Sequence, residues 1–191
     1  MSNETKAAII KKLSIRNGLL IAGIYIVISL VFWVVDPLMQ YTNTWASMLL
    51  FVVPIVLLVV FGLEVRKAAG GYWTFGEAFK SLLLMSVILA ILSIVFHYLL
   101  NAVIDPTLPQ RSADAIGAKL TDQLSSAGIS QQKIDEMVEK IQEKSAVSLK
   151  NELVNLGIGI IVYAVIDLII AAIIKKNPPA FAPIQETDPT V

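Results

Sequence analysis

The sequence predicts an all-α, polytopic membrane four-helix bundle with an extramembrane helical hairpin between spans three and four. Three observations lead there. First, 56% of the 191 residues are hydrophobic and only 16% charged, whereas a soluble domain is about half apolar and about a quarter charged; mean hydropathy is +0.73. Second, a membrane core about 30 Å thick requires a helix of about 20 mostly apolar residues, and residues 17–35, 45–63, 81–103 and 153–174 each supply such a run. Third, the polar stretch between the last two runs carries apolar residues at helical spacing. The chain is thereby divided into an N-terminal flank (1–16), spans one to three (17–103), the hairpin (104–152), span four (153–174) and a proline-containing tail (175–191).

Composition also excludes several classes. A net charge of zero gives no global field for nucleic acid. With no cysteine, disulfides, thiol catalysis and cysteine metal sites are ruled out.

Span one comes after a basic flank of Lys6, Lys11, Lys12 and Arg16. Its apolar run exceeds the about 7–15 residues of a signal peptide core, and no small-x-small cleavage site lies beyond it, so it reads as a retained span. Gly18, Ala22, Tyr25 and Ser29 recur at helical spacing, and small residues let neighbouring backbones approach in lipid. Asp36-Pro37 stops the helix. Span two is expected to start at Thr44 as N-cap, with Trp45 at interface depth. Pro54 near its centre removes one backbone hydrogen bond and predicts a kink, either as a tolerated proline or as a hinge.

Thr74-Phe75-Gly76-Glu77 matches the capping box, in which threonine and glutamate satisfy each other's amides. Helix three therefore begins near Phe75. Within it Ser86, Ala90, Ser93, His97 and Asn101 fall on one face, the expected seam of the bundle. Asp105-Pro106 ends it. In the hairpin, Ala113, Ile116, Leu120 and Leu124 line one face. Ala127-Gly128-Ile129 gives a glycine stop of Schellman type. Ser130 is expected to cap a second helix with Ile134, Met137, Val138 and Ile141 on its apolar face, continuing into span four. A hairpin of this size, close to the about 40 residues below which isolated folding needs help, should lean on the bundle, the membrane surface or a partner.

Lysine and arginine collect in short cytoplasmic loops. The N-terminal flank, Arg66, Lys67 and Lys80 after span two, and Lys175 and Lys176 after span four carry them, while the loop 36–44 has none. Both termini are therefore expected in the cytoplasm and the hairpin outside. The tail with Pro178, Pro179, Pro183 and Pro189 is expected to be disordered.

Thr74-Phe75-Gly76-Glu77-Ala78-Phe79-Lys80, Val103-Ile104-Asp105-Pro106, Ala127-Gly128-Ile129-Ser130 through Ile134-Asp135-Glu136-Met137, and Ala171-Ala172-Ile173-Ile174-Lys175-Lys176 succeed one another in an order that resembles the domain of unknown function numbered 4199, found chiefly in Bacteroidetes. The resemblance runs from span one to Lys176. It implies a four-span inner-membrane protein of a Gram-negative bacterium and carries no activity, substrate or catalytic residue with it.

The candidate intramembrane polar residues are Asp167, His97, Ser86 and Ser93; the candidate helix-packing residues are Gly18, Ala22, Ser29 and Ala90; the candidate hinge is Pro54. An ionised carboxylate at the depth of Asp167 costs roughly 2.5–3.5 kcal/mol, so it must face the bundle, find a partner or stay protonated. Ser86 matches its depth and Lys80 is the nearest opposite charge. Packing by hydrogen bonding to another span, a proton or cation relay, and a subunit interface all fit. His97 reads as a hydrogen-bonded interfacial imidazole or a sensor of external pH; Asp36 and Asp105 lie toward the same membrane face. Glu64, Arg66, Lys67 and Glu77 are expected to solvate helix ends and meet lipid headgroups. No phosphate loop, serine-nucleophile motif or His-Glu-x-x-His occurs, so no enzyme, cofactor or metal is expected. The leading expectation is a structural or accessory subunit that touches a protein partner, or a second copy, through the hairpin. The alternative is a small transporter or channel subunit using Asp167 in an oligomer.

Overall fold

The computed structural model describes residues 3–145 and 148–177. The expectation for the tail beyond residue 177 lies outside them. Among the described residues the helices are, in order, α1 (Asn3–Val35), α2 (Met39–Thr42), α3 (Thr44–Ala68), α4 (Phe75–Leu99), α5 (Leu108–Ser126), α6 (Gln131–Lys144) and α7 (Leu149–Ile174), with a π-helical turn (Leu100–Ile104) ending α4. Four stretches are long and apolar enough to cross a membrane: Glu4–Val35, Thr44–Ala68, Phe75–Ile104 and Lys150–Ile174. Large apolar side chains, among them Val34, Val60, Ile161 and Ile173, cover their outer surfaces, as lipid contact requires.

The four long helices pack as a bundle. α4 lies against α1 and α7, α3 lies against α1, and α3 meets α7 only sparsely. Both described ends of the chain fall at one end of the bundle, here the terminal end; α2 and the α5–α6 hairpin occupy the other, here the hairpin end.

The core sits in the terminal half. Ile21, Ala22, Leu58, Val65, Leu82, Met85, Leu89 and Ala171 pack there with Trp73 from the α3–α4 connection. Small residues permit the approach: a Cβ on Gly18 would lie 3.1 Å from the Met85 backbone, and one on Gly62 would lie 2.9 Å from Ile174. Ala22 and Ser29 are fully buried and continue the Gly18 stripe. Pro54 is buried inside α3, which runs through it as one helix.

Polar stitching closes the terminal end. The capping box of Thr74 and Glu77 forms, with Thr74 N–H donating to Glu77 at 2.9 Å, and Lys6 pairs with the same Glu77 at 2.7 Å. Arg16 pairs with Glu64, and the buried Asn17 amide donates to Glu64 at 3.1 Å. Ser14 and Ser81 share a hydrogen bond. Arg66 donates to the Ile174 carbonyl at 2.8 Å, supplying a partner to the C-terminus of α7. Trp73 and Lys176 exchange backbone hydrogen bonds of 2.7 and 2.8 Å as an antiparallel bridge, and the Lys176 ammonium stands 5.5 Å from the Tyr72 ring centre. Glu64, Arg66 and Glu77, expected to solvate helix ends and meet lipid headgroups, tie helices to one another. The basic flank is no separate segment; it is the first turns of α1.

The hairpin closes as its glycine predicts. Gly128 has φ +76°, Ile129 N–H donates to Leu124 and Gly128 N–H to Ser125, the paired bonds of a Schellman stop. Ile134 is fully buried, and a Cβ on Gly117 would lie 3.0 Å from Val138. The hairpin leans on the bundle through α5 and α2, where the Lys119 ammonium donates to the Thr42 carbonyl at 3.0 Å.

Three local expectations are corrected. The N-cap of α3 is Asn43, whose side chain accepts from Trp45 N–H at 2.9 Å; asparagine caps better than threonine, and Thr44 becomes the first helical residue. Ser130 holds the N-cap position of α6 but its side chain makes no capping bond. The second hairpin helix does not run into span four: α6 ends at Lys144 and α7 starts anew behind Ser148, which accepts from Asn151 N–H at 3.4 Å.

Candidate functional site: a polar aromatic chamber

Above the packed core, in the hairpin half, the bundle opens into a cleft, with Phe51 at its exposed edge. A cavity of about 340 Å³ is lined by Tyr25 of α1, Gln40 and Tyr41 of α2, Ser47, Leu50 and Phe51 of α3, His97 of α4 and Tyr163 of α7. An adjoining cavity of about 210 Å³ shares Tyr25, His97 and Tyr163 and adds Ala90, Ser93, Asn155 and Gly159. The shared residues make these two lobes of one chamber.

The helices place these groups for simple reasons. On α4, Ser86, Ala90, Ser93 and His97 do share a face, but the face divides by depth. Ser86 is buried in the core, whereas Ala90, Ser93 and His97 are half-buried and line the chamber. The tight packing of α4 is carried instead by Ala78, Leu82, Met85 and Leu89, so the expected seam holds only in its lower part. Asn101 lies in the π-helical turn, where the extra residue per turn rotates the backbone out of the α-helical register.

His97 Nε2 and the Tyr25 hydroxyl are 3.0 Å apart, with the rings edge to face at 6.0 Å. Phe96 packs edge-on against the imidazole at 5.3 Å. Asp36 and Asp105 do not approach it as ligands. Asp36 accepts from Leu38 N–H at 2.9 Å, and Asp105 accepts from Thr107 at 2.7 Å and from Arg111 at 3.4 Å. Among the described residues no three His, Asp or Glu groups gather.

Asp167 is fully buried below the chamber. Ser86 is the polar side chain that faces it, yet neither carboxylate oxygen nor the Ser86 hydroxyl closes a hydrogen bond among the described residues. Lys80 is exposed at the terminal end and does not answer it. Ser93 Oγ, Asn101 Oδ1 and Gln40 Nε2 are likewise buried without partners; the Gln40 carbonyl accepts from Ser29 at 3.2 Å. Buried polar groups are normally satisfied; of the unsatisfied ones Gln40 and Ser93 line the cavities, whereas Trp33 Nε1 and Trp73 Nε1 lie away from them. At the hairpin-side rim, burial pushes the Tyr41 hydroxyl above its ordinary pKa. The Gln40 side chain beside it opposes that rise and the Glu152 carboxylate adds to it.

Of these lining groups, the sequence pattern points to His97, Ser93, Ala90 and Tyr25. It misses Tyr163, Asn155, Gln40 and Tyr41. The first two were legible: Asn155, Gly159, Tyr163 and Asp167 recur every four residues on α7, the same kind of stripe read on α1 and α4. Gln40 and Tyr41 sit on a four-residue helix in a connecting segment, where no periodicity exists to read.

With the bundle and chamber described, the class is an all-α multi-pass membrane protein. The chain belongs to the family described as Protein of unknown function (DUF4199), whose model matches residues 16–176. Searches of curated proteins and of solved structures found no match.

Proposed function

We propose that this chain is a small transport or channel subunit of a bacterial inner membrane, with both termini in the cytoplasm and the hairpin in the periplasm. The observation that carries this reading is the chamber: a polar, aromatic cleft between the apolar helices with an unpaired buried carboxyl group one helical turn below Tyr163. A span that only packs against its neighbours gains nothing from an unpaired carboxylate, which costs roughly 2.5–3.5 kcal/mol if ionised. Intramembrane ionisable groups facing a cavity are the usual mark of an ion or substrate path. Four spans rarely enclose a path alone, and the sparse α3–α7 contact is the side on which a second copy would complete one. The placement of the termini rests on the lysines and arginines of the terminal end; the inner membrane is what the family resemblance implies.

The test is proton and monovalent-cation flux in vesicles reconstituted with the full chain. Wild-type protein should conduct and Asp167→Asn should lose most of the flux. Equal flux from both, or none from wild type, defeats the reading. Because the chain lacks cysteine, single cysteines at Thr5 and Ser125 report sidedness. An impermeant maleimide added to spheroplasts should label Ser125→Cys and spare Thr5→Cys.

A second reading, an accessory subunit that meets a partner through the hairpin, is favoured by Ile129 and Met137, which are 39% and 46% exposed. Photo-crosslinking from position 137 in native membranes should trap one protein of defined size; a hairpin that traps none removes this reading. Neither reading assigns the chain an enzymatic step.

A further inference from the structure

The lining of the larger lobe has a chemical bias that names a ligand class. Four carbocyclic rings, Tyr25, Tyr41, Phe51 and Tyr163, come to it from four different helices. The face of each ring carries partial negative charge, and a concave set of such faces attracts a cation within about 6 Å of the ring centres. No lysine or arginine lines either lobe. The acidic groups nearest the lining tyrosines are the carboxyl groups of Glu152, beside Tyr41, and of Asp167, one turn from Tyr163. An anion therefore finds no opposite charge there, while a cation finds aromatic rings beside it and a carboxyl group beyond each end.

The kind of cation is set by the groups the lining lacks. A compact metal ion such as calcium needs about six to eight oxygen ligands at short range, and no three His, Asp or Glu groups gather among the described residues. A primary ammonium needs several free acceptors for its N–H groups, and in the larger lobe the Tyr25 hydroxyl, the Gln40 carbonyl and the Ser47 hydroxyl are already engaged with His97, Ser29 and the Gln40 backbone. A quaternary ammonium needs none; it presents methyl groups to ring faces and to apolar walls such as Leu50. The lobe, at about 340 Å³, falls within the roughly 300–1,000 Å³ typical of small-molecule sites. We propose that the chamber binds a small organic cation of the quaternary ammonium class, held by the ring faces of Tyr25, Tyr41, Phe51 and Tyr163. This inference rests on the chamber being the functional site, as the transport reading has it.

The test is calorimetric titration of the full chain in lipid nanodiscs with tetramethylammonium, choline and 3,3-dimethylbutanol, in which carbon replaces the nitrogen of choline. Both cations should bind saturably, and the neutral isostere about tenfold more weakly, the loss expected when cation–π attraction is removed. Tyr163→Phe keeps the ring and should bind choline within about threefold of wild type, while Tyr163→Leu should lose about tenfold. Tyr41→Leu, outside the spans, should reproduce that loss should Tyr163→Leu fail to fold. Equal binding of choline and its neutral isostere, or no cation binding by folded wild-type protein, overturns the inference. Flux and binding separate the two claims: cation binding without flux defeats transport alone, and flux without quaternary ammonium binding defeats this inference alone.

Discussion

The terminal half of the bundle is filled and several of its charged groups are paired across helices, although among the described residues Trp73 Nε1, Ser86 and Asp167 stay unpaired at its inner side; the hairpin half opens into a cleft lined by further unpaired polar groups. The same four helices build both. In the terminal half Trp73, Leu82 and Met85 fill the space between α1, α3, α4 and α7, and Arg16, Glu64, Lys6, Glu77 and Arg66 each find a partner on another helix or on a connection. In the hairpin half the positions that would continue the core are occupied by Tyr25, Ser93, His97 and Tyr163, which surround space. Lipid gives helices little reason to associate beyond packing and hydrogen bonds, so the filled half has to hold the fold. That frees the other half to keep an opening and unsatisfied groups without losing the bundle.

This division makes graded predictions. The largest effect should come from Trp73→Ala, which empties the knot between α3, α4 and α7; a loss of about 3–5 kcal/mol is expected, read as an earlier unfolding transition in detergent. Glu64→Ala should cost about 1–3 kcal/mol, because it strands the buried Asn17 amide. Arg16→Ala should cost only about 0.2–1 kcal/mol, since the Arg16–Glu64 pair is half exposed. A result in which Arg16→Ala hurts more than Glu64→Ala would show that the ion pair, not the buried amide, holds α1 to α3. Gly128→Ala places a side chain at φ +76° and should cost about 1–2 kcal/mol. That loss should show as faster amide exchange in α5 and α6, with the terminal-half helices unchanged. The smallest effect is expected from Tyr25→Phe. Among the described residues its hydroxyl hydrogen-bonds to His97 alone, and stability should fall by about 0.5–1.5 kcal/mol or less. A loss as large as that of Trp73→Ala would mean that the chamber is structural after all.

Much of the frame was legible in the residues alone. The four spans come from apolar run length, the start of α4 from Thr74 and Glu77, and the hairpin turn from Gly128; each depends on residues close to one another along the chain. The hidden parts depend on neighbours distant in sequence. Hydropathy treats each helix alone, so it could not show that Glu64 meets Arg16 and Asn17, or that Trp73 joins Lys176. It read the α4 stripe as a single packing seam because periodicity fixes a face but not what lies opposite it; Ser86 found the core, and Ser93 and His97 found a void. The break between α6 and α7 was missed because Lys144 and Ser145 carry no strong stop signal, and the cap that shows it, Ser148, lies beyond them.

The backbone bridge between Trp73 and Lys176 bears on how the protein is made. A ribosome finishes Trp73 roughly a hundred residues before it finishes Lys176, so the first three spans enter the bilayer with their future clasp still unsynthesised. The clasp can close only after Lys176 has been made, and a chain halted before it leaves the tryptophan's backbone without its mate.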